Sequence, residues 1–285
     1  MIKFIGVLSV VAAFLTGGMV YQNLDVSKQA KLTELGQQVL RTQQTCIQEP
    51  ARQIPTLPLD DQGRFSLLVW NIYKQNTPGW KGALTELSQD KELILLQESS
   101  LTAELSDWVS NQHLRALQVR AFRFLSQDAG VMTMAKVLPR RACGFLQSEP
   151  WLRLPKSLLI TEYTLSTGQT LQVVNLHAIN FTLSTQDYRQ QLQVALEQLS
   201  PSSPAIVAGD FNTWSPERRA VVADLLQGPS WQEVAFTPDK RSRFFGRAVL
   251  DHVFYRGLSV IHAQATHSDA SDHNPLQVSF SLSAD

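Results

Sequence analysis

The order of apolar and polar positions predicts a chain in which buried strands alternate with amphipathic helices. Several apolar runs are too short for helices and are bounded by polar or turn-forming residues, which is typical of buried strands. These runs are 65–70, 93–96, 171–177, 205–208 and 250–255. Shorter alternating patterns at 131–134, 158–160 and 276–282 predict antiparallel or half-buried strands.

Helical spacing of apolar side chains predicts the helices between these strands. Ser215-Pro216 is a strong helix start, because serine caps free N–H groups and proline suits the first turn, and this helix should end near Leu226. Further helices are predicted at 81–87 and 184–199, and another after the capping residues Ser99-Ser100. Its stripe is Leu101, Leu105, Trp108, Val109 and Leu117. Without a steady βαβ rhythm, the pattern favours sheets packed face to face with helices outside.

Residues 4–21 form an apolar segment that contains no charged residue. Its length is near the lower limit for a membrane-spanning helix and also suits a signal peptide. Because no convincing cleavage site follows, we expect residues 1–21 to be an uncleaved membrane anchor. A cleaved signal and a buried or peripheral helix are the alternatives, with a cytoplasmic protein as the alternative location. Lysines flank both ends, so the side of the membrane stays undetermined.

Residues 22–62 are predicted to connect this anchor to the folded domain. Residues 22–49 are polar and rich in glutamine, and their few apolar side chains recur at rough helical spacing, which predicts a juxtamembrane helix. Prolines at 50, 55 and 58 then predict a linker. The domain itself is predicted to span 63–285 as one unit, because residues from 71 to 273 must meet in a single site.

Composition and charge limit the classes of function. The 285 residues are 44% hydrophobic and 18% charged, and the formal net charge is zero. That balance argues against a protein that holds nucleic acid through a general positive field, and leaves a local basic patch open. Cys46 and Cys143 are too few for a disulfide framework and too far apart for a metal knuckle, so they form one bridge or none.

Polar residues with catalytic chemistry follow several predicted strands. After strand 205–208, Gly209 allows a sharp turn that presents Asp210 and Asn212 at the strand end. An ordinary Asp/Asn turn would explain this segment alone. Other strand ends carry similar groups, which makes a shared site the better interpretation. They are Asn71, Glu98, Asn175, His177, Asp251, Asp272 and His273.

These residue types predict metal and proton chemistry. Glu98 directly follows an apolar run and is the natural anchoring ligand for a hard divalent cation such as magnesium, with a structural ion pair as the alternative. His273 can gain and lose a proton near neutral pH, and Asp251 is available to hold its ring. His177 ends its own strand and can donate to a phosphate oxygen. His252 should point to the opposite face and is given no role.

The ordered set of these motifs resembles the endonuclease/exonuclease/phosphatase superfamily, the deoxyribonuclease-I-like fold, and is most similar to its YafD-like bacterial branch. The motifs are Trp70-Asn71, Gln97-Glu98, Asn175-Leu176-His177, Gly209-Asp210-Phe211-Asn212, Leu250-Asp251 and Ser271-Asp272-His273. The resemblance covers residues 64–282. It implies an α/β four-layer sandwich of two packed mixed β-sheets flanked by helices, with the site at one rim. The implied activity is a Mg-dependent hydrolysis of phosphoric esters, with manganese as the alternative ion.

The resemblance also implies roles for individual residues. The implied catalytic residues are His273, Asp251, Asp210, Asn212 and His177. The implied metal ligands are Glu98 and Asp272, and the implied substrate contacts include Asn71 and Asn175. One position departs from the pattern, since Tyr73 stands where some nuclease branches carry an acidic residue. This departure places the second metal ligand in doubt.

The substrate stays open between nucleic acid and a phospholipid head group. The basic residues before the Asp251 strand could reach phosphates, Arg243 among them, although a solvated loop explains them equally well. The membrane segment would suit a lipid. We expect a monomer. The competing hypothesis is a catalytically silent, membrane-tethered binding module on the same fold. Binuclear metallophosphoesterases are disfavoured, because their Gly-Asn-His segment is absent.

Overall fold

Two large β-sheets packed face to face form the centre of the protein, and helices cover their outer faces. The computed structural model describes residues 23–35, 41–43, 45–48, 57–151, 153–182, 184–228 and 230–282. Within those ranges the helices are α1 (Trp80–Leu87), α2 (Ala103–Asn111), α3 (Gln186–Glu197) and α4 (Pro216–Leu226).

The strands are numbered along the chain and fall into two large sheets and one small one. The first sheet has the order β17 (Leu258–Ala265), β18 (Leu276–Leu282), β5 (Arg64–Asn71), β6 (Leu93–Ser100), β8 (Gln127–Ala135), β7 (Arg115–Phe124), β2 (Lys31–Leu35) and β3 (Arg41–Gln43), with β1 (Leu24–Asp25) paired to β7. The second has the order β13 (Gln232–Glu233), β16 (Asp251–Arg256), β12 (Ala205–Asp210), β11 (Thr170–His177), β10 (Pro155–Thr164), β9 (Arg141–Ser148) and β4 (Cys46–Gln48). β14 (Arg243–Phe244) and β15 (Ala248–Val249) form a separate hairpin.

Four apolar clusters account for the layered packing. The larger cluster between the sheets takes alternate residues of β5 and β6 from one sheet and of β11, β12 and β16 from the other. A smaller one joins β2, β7 and β8 to β9 and β10. The opposite faces of the strands in the larger cluster pack against the helices, α1 and α2 on the first sheet and α3 and α4 on the second. The central strands β5, β6, β11 and β12 carry apolar side chains on both faces, because one face packs against the other sheet and the opposite face against helices. The predicted four-layer sandwich is confirmed.

The strand directions bring several strand ends to one edge of the sandwich. β5 and β6 are parallel, and so are β11 and β12. Their carboxyl ends carry Asn71, Glu98, His177 and Asp210, and Asn71 Nδ2 donates to Asp210 Oδ2 across the two sheets at 3.1 Å. The partner strands β8, β10, β16 and β18 run antiparallel to them and begin at the same end. We call this end of the sandwich the C-terminal edge.

The predicted helices at 81–87, 184–199 and 215–226 correspond to α1, α3 and α4. Ser215 caps α4 and accepts a hydrogen bond from the Arg218 N–H. The start and end of α2 differ from the prediction. Thr102 Oγ1 accepts from the Leu105 N–H at 3.1 Å and caps the helix, while Ser99 and Ser100 stay in β6. The helix ends at Asn111, so Leu117 belongs to β7.

The juxtamembrane helix predicted over 22–49 is not found among its described residues, which form short strands instead. β2 pairs with β7 and buries Leu32 and Leu35, and β4 pairs with β9. Pairing with an existing sheet and burial of two leucines outweigh a weak helical spacing. The folded unit therefore includes residues that lie before position 63.

Cys46 and Cys143 form a disulfide that links β4 to β9. The two residues are register partners in the second sheet, so their side chains lie on the same face of adjacent strands. The sequence left this pairing open. Since these are the only two cysteines of the chain, neither is free.

The apolar segment 4–21 lies outside the described residues. Among the helices that the structure does describe, none has both the length and the apolar character needed to cross a membrane. The anchor predicted at residues 1–21 therefore stays a prediction.

Candidate active site

Asp210 lies at the end of β12 and follows Gly209, a position that only glycine can occupy. Gly209 has φ of 137°, and a Cβ atom there would lie 2.0 Å from the Leu176 carbonyl oxygen of β11. Asp210 Oδ1 accepts from the Asn212 N–H at 2.9 Å, and Oδ2 accepts from Asn71 Nδ2. The carboxylate is buried and held by donors on both oxygens. Its orientation is therefore fixed by the two flanking segments.

His273 is held by Asp251, as the sequence predicted. Its Nδ1 lies 2.8 Å from Asp251 Oδ2, and its Nε2 faces Asp210 Oδ2 at 3.9 Å. Burial alone would lower the pKa of His273, but the charges of Asp251 and Asp210 and the hydrogen bond to Asp251 outweigh it and raise the pKa to about 10. The ring is therefore a cation at neutral pH, with its Nε2–H directed toward Asp210.

His177 has the opposite protonation state. Burial and the ammonium group of Lys156 lower its pKa to about 4, against the opposing pull of Asp210 and Glu98. Its Nε2 lies 3.0 Å from Lys156 Nζ and 3.5 Å from Asp210 Oδ2. A neutral ring whose Nε2 accepts from an ammonium carries its proton on Nδ1. One histidine beside Asp210 is thus charged and the other neutral.

Glu98 occupies an irregular point of β6, with φ of 51° and a shift of strand register between Leu96 and Ser99. Burial would raise the pKa of its carboxyl, but the charges around it lower the pKa to about 2. His177 is neutral at pH 7, so at that pH the ammonium groups of Lys156 and Lys74 stabilise the Glu98 anion. Lys74 forms an ion pair with Oε2, and Lys156 Nζ lies 3.8 Å from Oε1. Glu98 is thus a permanent anion that is 17% exposed.

The structure brings most of the predicted residues into one chain of short contacts. Glu98 Oε1 lies 3.8 Å from His177 Nε2, which lies 3.5 Å from Asp210 Oδ2, which lies 3.9 Å from His273 Nε2. Asn212 also belongs to the site through its N–H, while its Nδ2 donates to the Ala178 carbonyl oxygen at 2.9 Å. The site therefore draws on both sheets.

Three predicted residues lie outside this chain of contacts. Asn175 is fully buried between the sheets, where it accepts from Gln97 Nε2 at 2.7 Å and donates to the Met132 carbonyl oxygen, so it cannot contact substrate. Asp272 is exposed, its Oδ1 accepts from Ser271 Oγ at 3.4 Å, and its charge helps to raise the pKa of the adjacent His273. Arg243 is exposed, with Nη2 3.6 Å from Asp239 Oδ2. As predicted, His252 faces away, toward Thr213 and Glu233.

The donors at the site fit a hard divalent cation. Asp210, Asp251 and His273 offer ligand atoms that lie within 4.8 Å of one another. His273 Nδ1 is already hydrogen-bonded to Asp251, however, and its Nε2 lies 3.9 Å from Asp210 Oδ2, so this ring serves first as a donor held by Asp251. Glu98 offers an ionised, partly accessible carboxylate, the ligand type that magnesium uses. Glu98 is therefore the better anchor for a cation.

Lys74 is a site residue that the sequence did not predict. Tyr73, Lys74 and Gln75 all have positive φ, of 48°, 54° and 57°, which is costly for residues other than glycine. Gln75 holds this turn in place, because its amide donates to the Ser100 carbonyl oxygen at 2.8 Å and accepts from the Ser100 N–H at 2.9 Å. The strained turn delivers the Lys74 ammonium to the Glu98 carboxylate.

The substitution Lys74→Met is expected to tighten binding of Mg²⁺ or Mn²⁺ by about tenfold, because the ammonium competes with a cation for the same carboxylate. Isothermal titration calorimetry of the full chain measures the change. Lys81→Met is the matched control, since Lys81 pairs with Glu104 on the surface of α1. Equal affinity in the Lys74 variant and the wild type would show that the cation is bound away from Glu98.

Arg218 braces the two loops that follow His177 and Asp210. It is 2% exposed, and its guanidinium donates to the carbonyl oxygens of Ile179, Asn180 and Asn212 and to Thr182 Oγ1. The rings of Tyr188 and Trp214 lie 4.6 and 4.8 Å from its Cζ. An arginine in the first turn of a helix is usually solvated, so no sequence pattern indicated this role.

Replacement of Arg218 by methionine should lower the free energy of unfolding by about 2–4 kcal/mol, because each buried acceptor left without a donor costs about 1–3 kcal/mol. Urea denaturation measures it. Arg219→Met, on the exposed side of the same helix turn, should be close to neutral. If the two variants were equally stable, the bracing role of Arg218 would be wrong.

Comparison with known sequences finds a family model that matches most of the chain. The sequence model of the Endonuclease/Exonuclease/phosphatase family matches residues 68–273. A UPF0294 protein of Vibrio cholerae is 48% identical over 258 residues, covering 90% of this chain and 90% of its own. A UPF0294 protein of Yersinia pestis is 45% identical over 224 residues, covering 78% of this chain and 86% of its own.

Solved structures share the fold at low sequence identity. An endonuclease/exonuclease/phosphatase from Bacteroides vulgatus has a TM-score of 0.61 at 16% identity, with 77% of this chain and 99% of that chain covered. The TDP2 protein of D. rerio, solved with a single-strand DNA product, has a TM-score of 0.57 at 18% identity, with 78% and 100% covered. Together with the matched family model and the residues gathered around Asp210, these findings show that the chain belongs to the endonuclease/exonuclease/phosphatase family, among its UPF0294 relatives.

Proposed function

We propose that this protein is a divalent-metal-dependent phosphoesterase that hydrolyses a phosphodiester by attack of water. The observation that carries the proposal is the placement of Asp210 between two histidines of opposite protonation state, next to the anionic Glu98. Pairs of groups whose surroundings drive their pKa values apart are typical of acid–base sites. Membership of a family named for nucleases and phosphatases agrees with this chemistry.

Asp210 is the residue best placed to orient the attacking water and take its proton. Its Oδ1 is fixed by the Asn212 N–H and its Oδ2 by Asn71, so the carboxylate presents a defined lone pair to the site. A base held in one orientation loses no entropy when the substrate arrives. Asn71 thereby acts as a positioning residue rather than as a substrate contact.

His273 supplies a fixed positive donor. The hydrogen bond from its Nδ1–H to Asp251 leaves the Nε2–H directed into the site, where charge develops on the phosphate oxygens. His177 is neutral and takes a hydrogen bond from Lys156, so it holds that ammonium close to Glu98 and Asp210. Lys156 and His273 then oppose the negative charge of a phosphate from two sides.

A divalent cation at Glu98 would polarise a phosphoryl oxygen and offset its charge. Magnesium suits carboxylate ligands and retained water, with manganese as the alternative. The ammonium of Lys74 would leave the Glu98 carboxylate when the cation binds.

Turnover of bis-p-nitrophenyl phosphate by the purified full chain tests this proposal. Hydrolysis should stop when EDTA removes divalent ions and should return with Mg²⁺ or Mn²⁺, because the ionised Glu98 carboxylate would hold the cation that polarises the phosphate. Equal rates with and without EDTA would contradict a metal-dependent mechanism.

One observation favours a second candidate, a catalytically silent binding module. Lys74 already pairs with the carboxylate that a cation needs, and an ammonium locked there would leave a phosphate-binding site without its metal. The two candidates differ in a simple measurement. A silent module would bind a phosphodiester without hydrolysing it, whatever divalent ion is added.

A further inference from the structure

Large apolar side chains are exposed around the C-terminal edge, where the candidate site opens. Phe245 is 86% exposed, Trp151 64%, Leu125 60% and Phe181 52%, on four different turns. Single exposed apolar residues are ordinary on a protein surface, but a group that surrounds one site indicates a surface that binds something apolar.

The turns that carry Leu125 and Trp151 both belong to this edge. Leu125 follows β7 in the turn to β8, and β8 then pairs Ala129 with Ser100, two residues after Glu98. Trp151 lies in the turn from β9 to β10, and Lys156 near the start of β10 contacts His177.

Phe181 and the β14–β15 hairpin extend the same surface. Phe181 comes four residues after His177, the last residue of β11. At the hairpin tip, the rings of Phe244 and Phe245 lie 4.4 Å apart, and Phe244 lies 6.0 Å from Trp214. Trp214 is two residues beyond Asn212, so this aromatic group adjoins the site.

The opposite edge of the sandwich is different. The turn from β10 to β11 is polar, and the described residues toward this edge expose two large apolar side chains, Leu57 at 73% and Ile261 of β17 at 53%. Leu57 lies two residues before Leu59, whose N–H donates to the Thr164 carbonyl oxygen at the end of β10. The apolar exposure is therefore concentrated at the edge that carries the site.

The chain also enters the fold at the C-terminal edge. Leu24 pairs with Phe124 in β1 and β7, and the Leu125 N–H donates to the Asn23 carbonyl oxygen at 3.2 Å. Residues 4–21, which are apolar and uncharged, come directly before this point. A bilayer that holds this segment would therefore lie next to the exposed side chains of the β7–β8 turn.

We propose that the C-terminal edge docks on the surface of a lipid bilayer, with its exposed apolar side chains in the interface, and that the substrate is a phosphodiester of a lipid head group. The choice of substrate rests on the proposed phosphoesterase function, while docking stands without it. Tryptophan favours the interface because its ring is apolar and its N–H can reach water, and phenylalanine and leucine bury their apolar side chains at the boundary between head groups and acyl chains.

A single-stranded nucleic acid fits the same observations less well. Such ligands stack on rings that follow one another along a positively charged groove. Here the apolar side chains are spread over separate turns, Leu125 is aliphatic, and the chain has no net charge. The spread and the mixture of side chains suit a flat, apolar surface.

Quenching of tryptophan fluorescence by brominated lipid, measured at chosen positions of the full chain, tests docking. The variants Phe245→Trp and Leu57→Trp, each with Trp151→Phe, place one exposed reporter at either edge, because the other native tryptophans are buried or half-buried. Both variants keep residues 4–21 and are mixed with vesicles of brominated phosphatidylcholine, with unbrominated vesicles as the reference. We expect strong quenching of the reporter at position 245 and little at position 57. Equal quenching at both positions, or none at either, would overturn the docking proposal.

A second arm tests the substrate and separates the two proposals. Wild-type protein with Mg²⁺ is offered vesicles of mixed phosphatidylcholine, phosphatidylethanolamine and phosphatidylglycerol, a single-stranded oligonucleotide, and bis-p-nitrophenyl phosphate. We expect release of lipid head groups and little cleavage of the oligonucleotide. Cleavage of the oligonucleotide without attack on vesicles would overturn the lipid substrate. If no substrate, including the small diester, is hydrolysed, the phosphoesterase function fails, and the quenching result still decides docking.

The aromatic hairpin gives a graded test. Phe244→Ser with Phe245→Ser should lower the rate on vesicles, relative to that on the soluble diester, by about tenfold or more, because two apolar rings are then lost from the face that inserts into the bilayer. Leu57→Ser is the matched control and should leave the ratio of rates unchanged. A ratio that does not fall in the hairpin variant would exclude this hairpin from the docking surface.

Discussion

Replacement of His273 by alanine is expected to lower the rate of phosphodiester hydrolysis by about a hundredfold to a thousandfold, the usual cost of losing a donor that stabilises charge developing in the transition state. The physical reason is the cation that Asp251 and Asp210 maintain on this ring, with its Nε2–H directed into the site. Alanine removes both the donor and the charge. Steady-state turnover of bis-p-nitrophenyl phosphate with Mg²⁺ measures the loss.

The controls for His273 address the fold and the specificity of the effect. His267→Ala removes an exposed histidine whose ion-pair partner is Asp269, and it should keep full activity. The circular dichroism spectrum of the His273 variant should match that of the wild type, because the Trp70 indole donates to the His273 backbone and not to its ring. Near-normal turnover by a folded His273→Ala protein would refute the assignment.

Glu98→Gln should lower turnover by about the same factor, because it removes the anion and keeps the shape of the side chain. Without that anion, the ammonium groups of Lys74 and Lys156 face each other unopposed, and a divalent cation is repelled. We therefore expect both a loss of rate and weaker Mg²⁺ binding. Turnover and calorimetric titration are measured on the same preparation.

The control for Glu98 is Glu104→Gln, since Glu104 is exposed and its ion pair with Lys81 lies on the surface. It should change neither rate nor affinity. The two measurements on Glu98→Gln separate two arrangements of the site. A lower rate with unchanged Mg²⁺ affinity would assign the cation to Asp210, Asp251 and His273, whose ligand atoms are also close together.

The sequence predicted much of the site because apolar runs mark buried strands and polar residues mark where they end. Glu98, His177 and Asp210 each follow such a run, and the parallel pairing of β5 with β6 and β11 with β12 then gathers them. The link between Asp251 and His273 was also predicted, since the chemistry of an imidazole beside a carboxylate does not depend on the details of the fold.

Depth within the sandwich was the information that the sequence lacked. Asn175 and His177 lie on the same face of β11, since side chains alternate with a period of two. Asn175 nevertheless lies two residues further from the C-terminal edge along β11. There the first sheet covers it, and its side-chain oxygen accepts a hydrogen bond from Gln97. Alternation specifies the face of a strand but not how far the neighbouring sheet reaches along it.

Long-range partners explain the remaining differences. The strands between residues 24 and 48 form because β7 and β9 offer free edges, which a local spacing pattern cannot show. Lys74 and Arg218 are ordinary surface residue types, and their roles arise from a strained turn and from two loops distant in sequence. Contacts of this kind are decided by the assembled fold.

The redox state of the Cys46–Cys143 bridge depends on the compartment in which the protein matures. Both thiols are consumed in it, so the intact chain has nothing for a maleimide to alkylate. In a reducing compartment such bonds are rare, and both sulfurs would then react once the chain is denatured, since Cys143 is buried in the folded protein. A mass shift of two labels or none, measured after acid trapping of living cells and denaturation, therefore tells whether the domain matures in a reducing or an oxidising compartment.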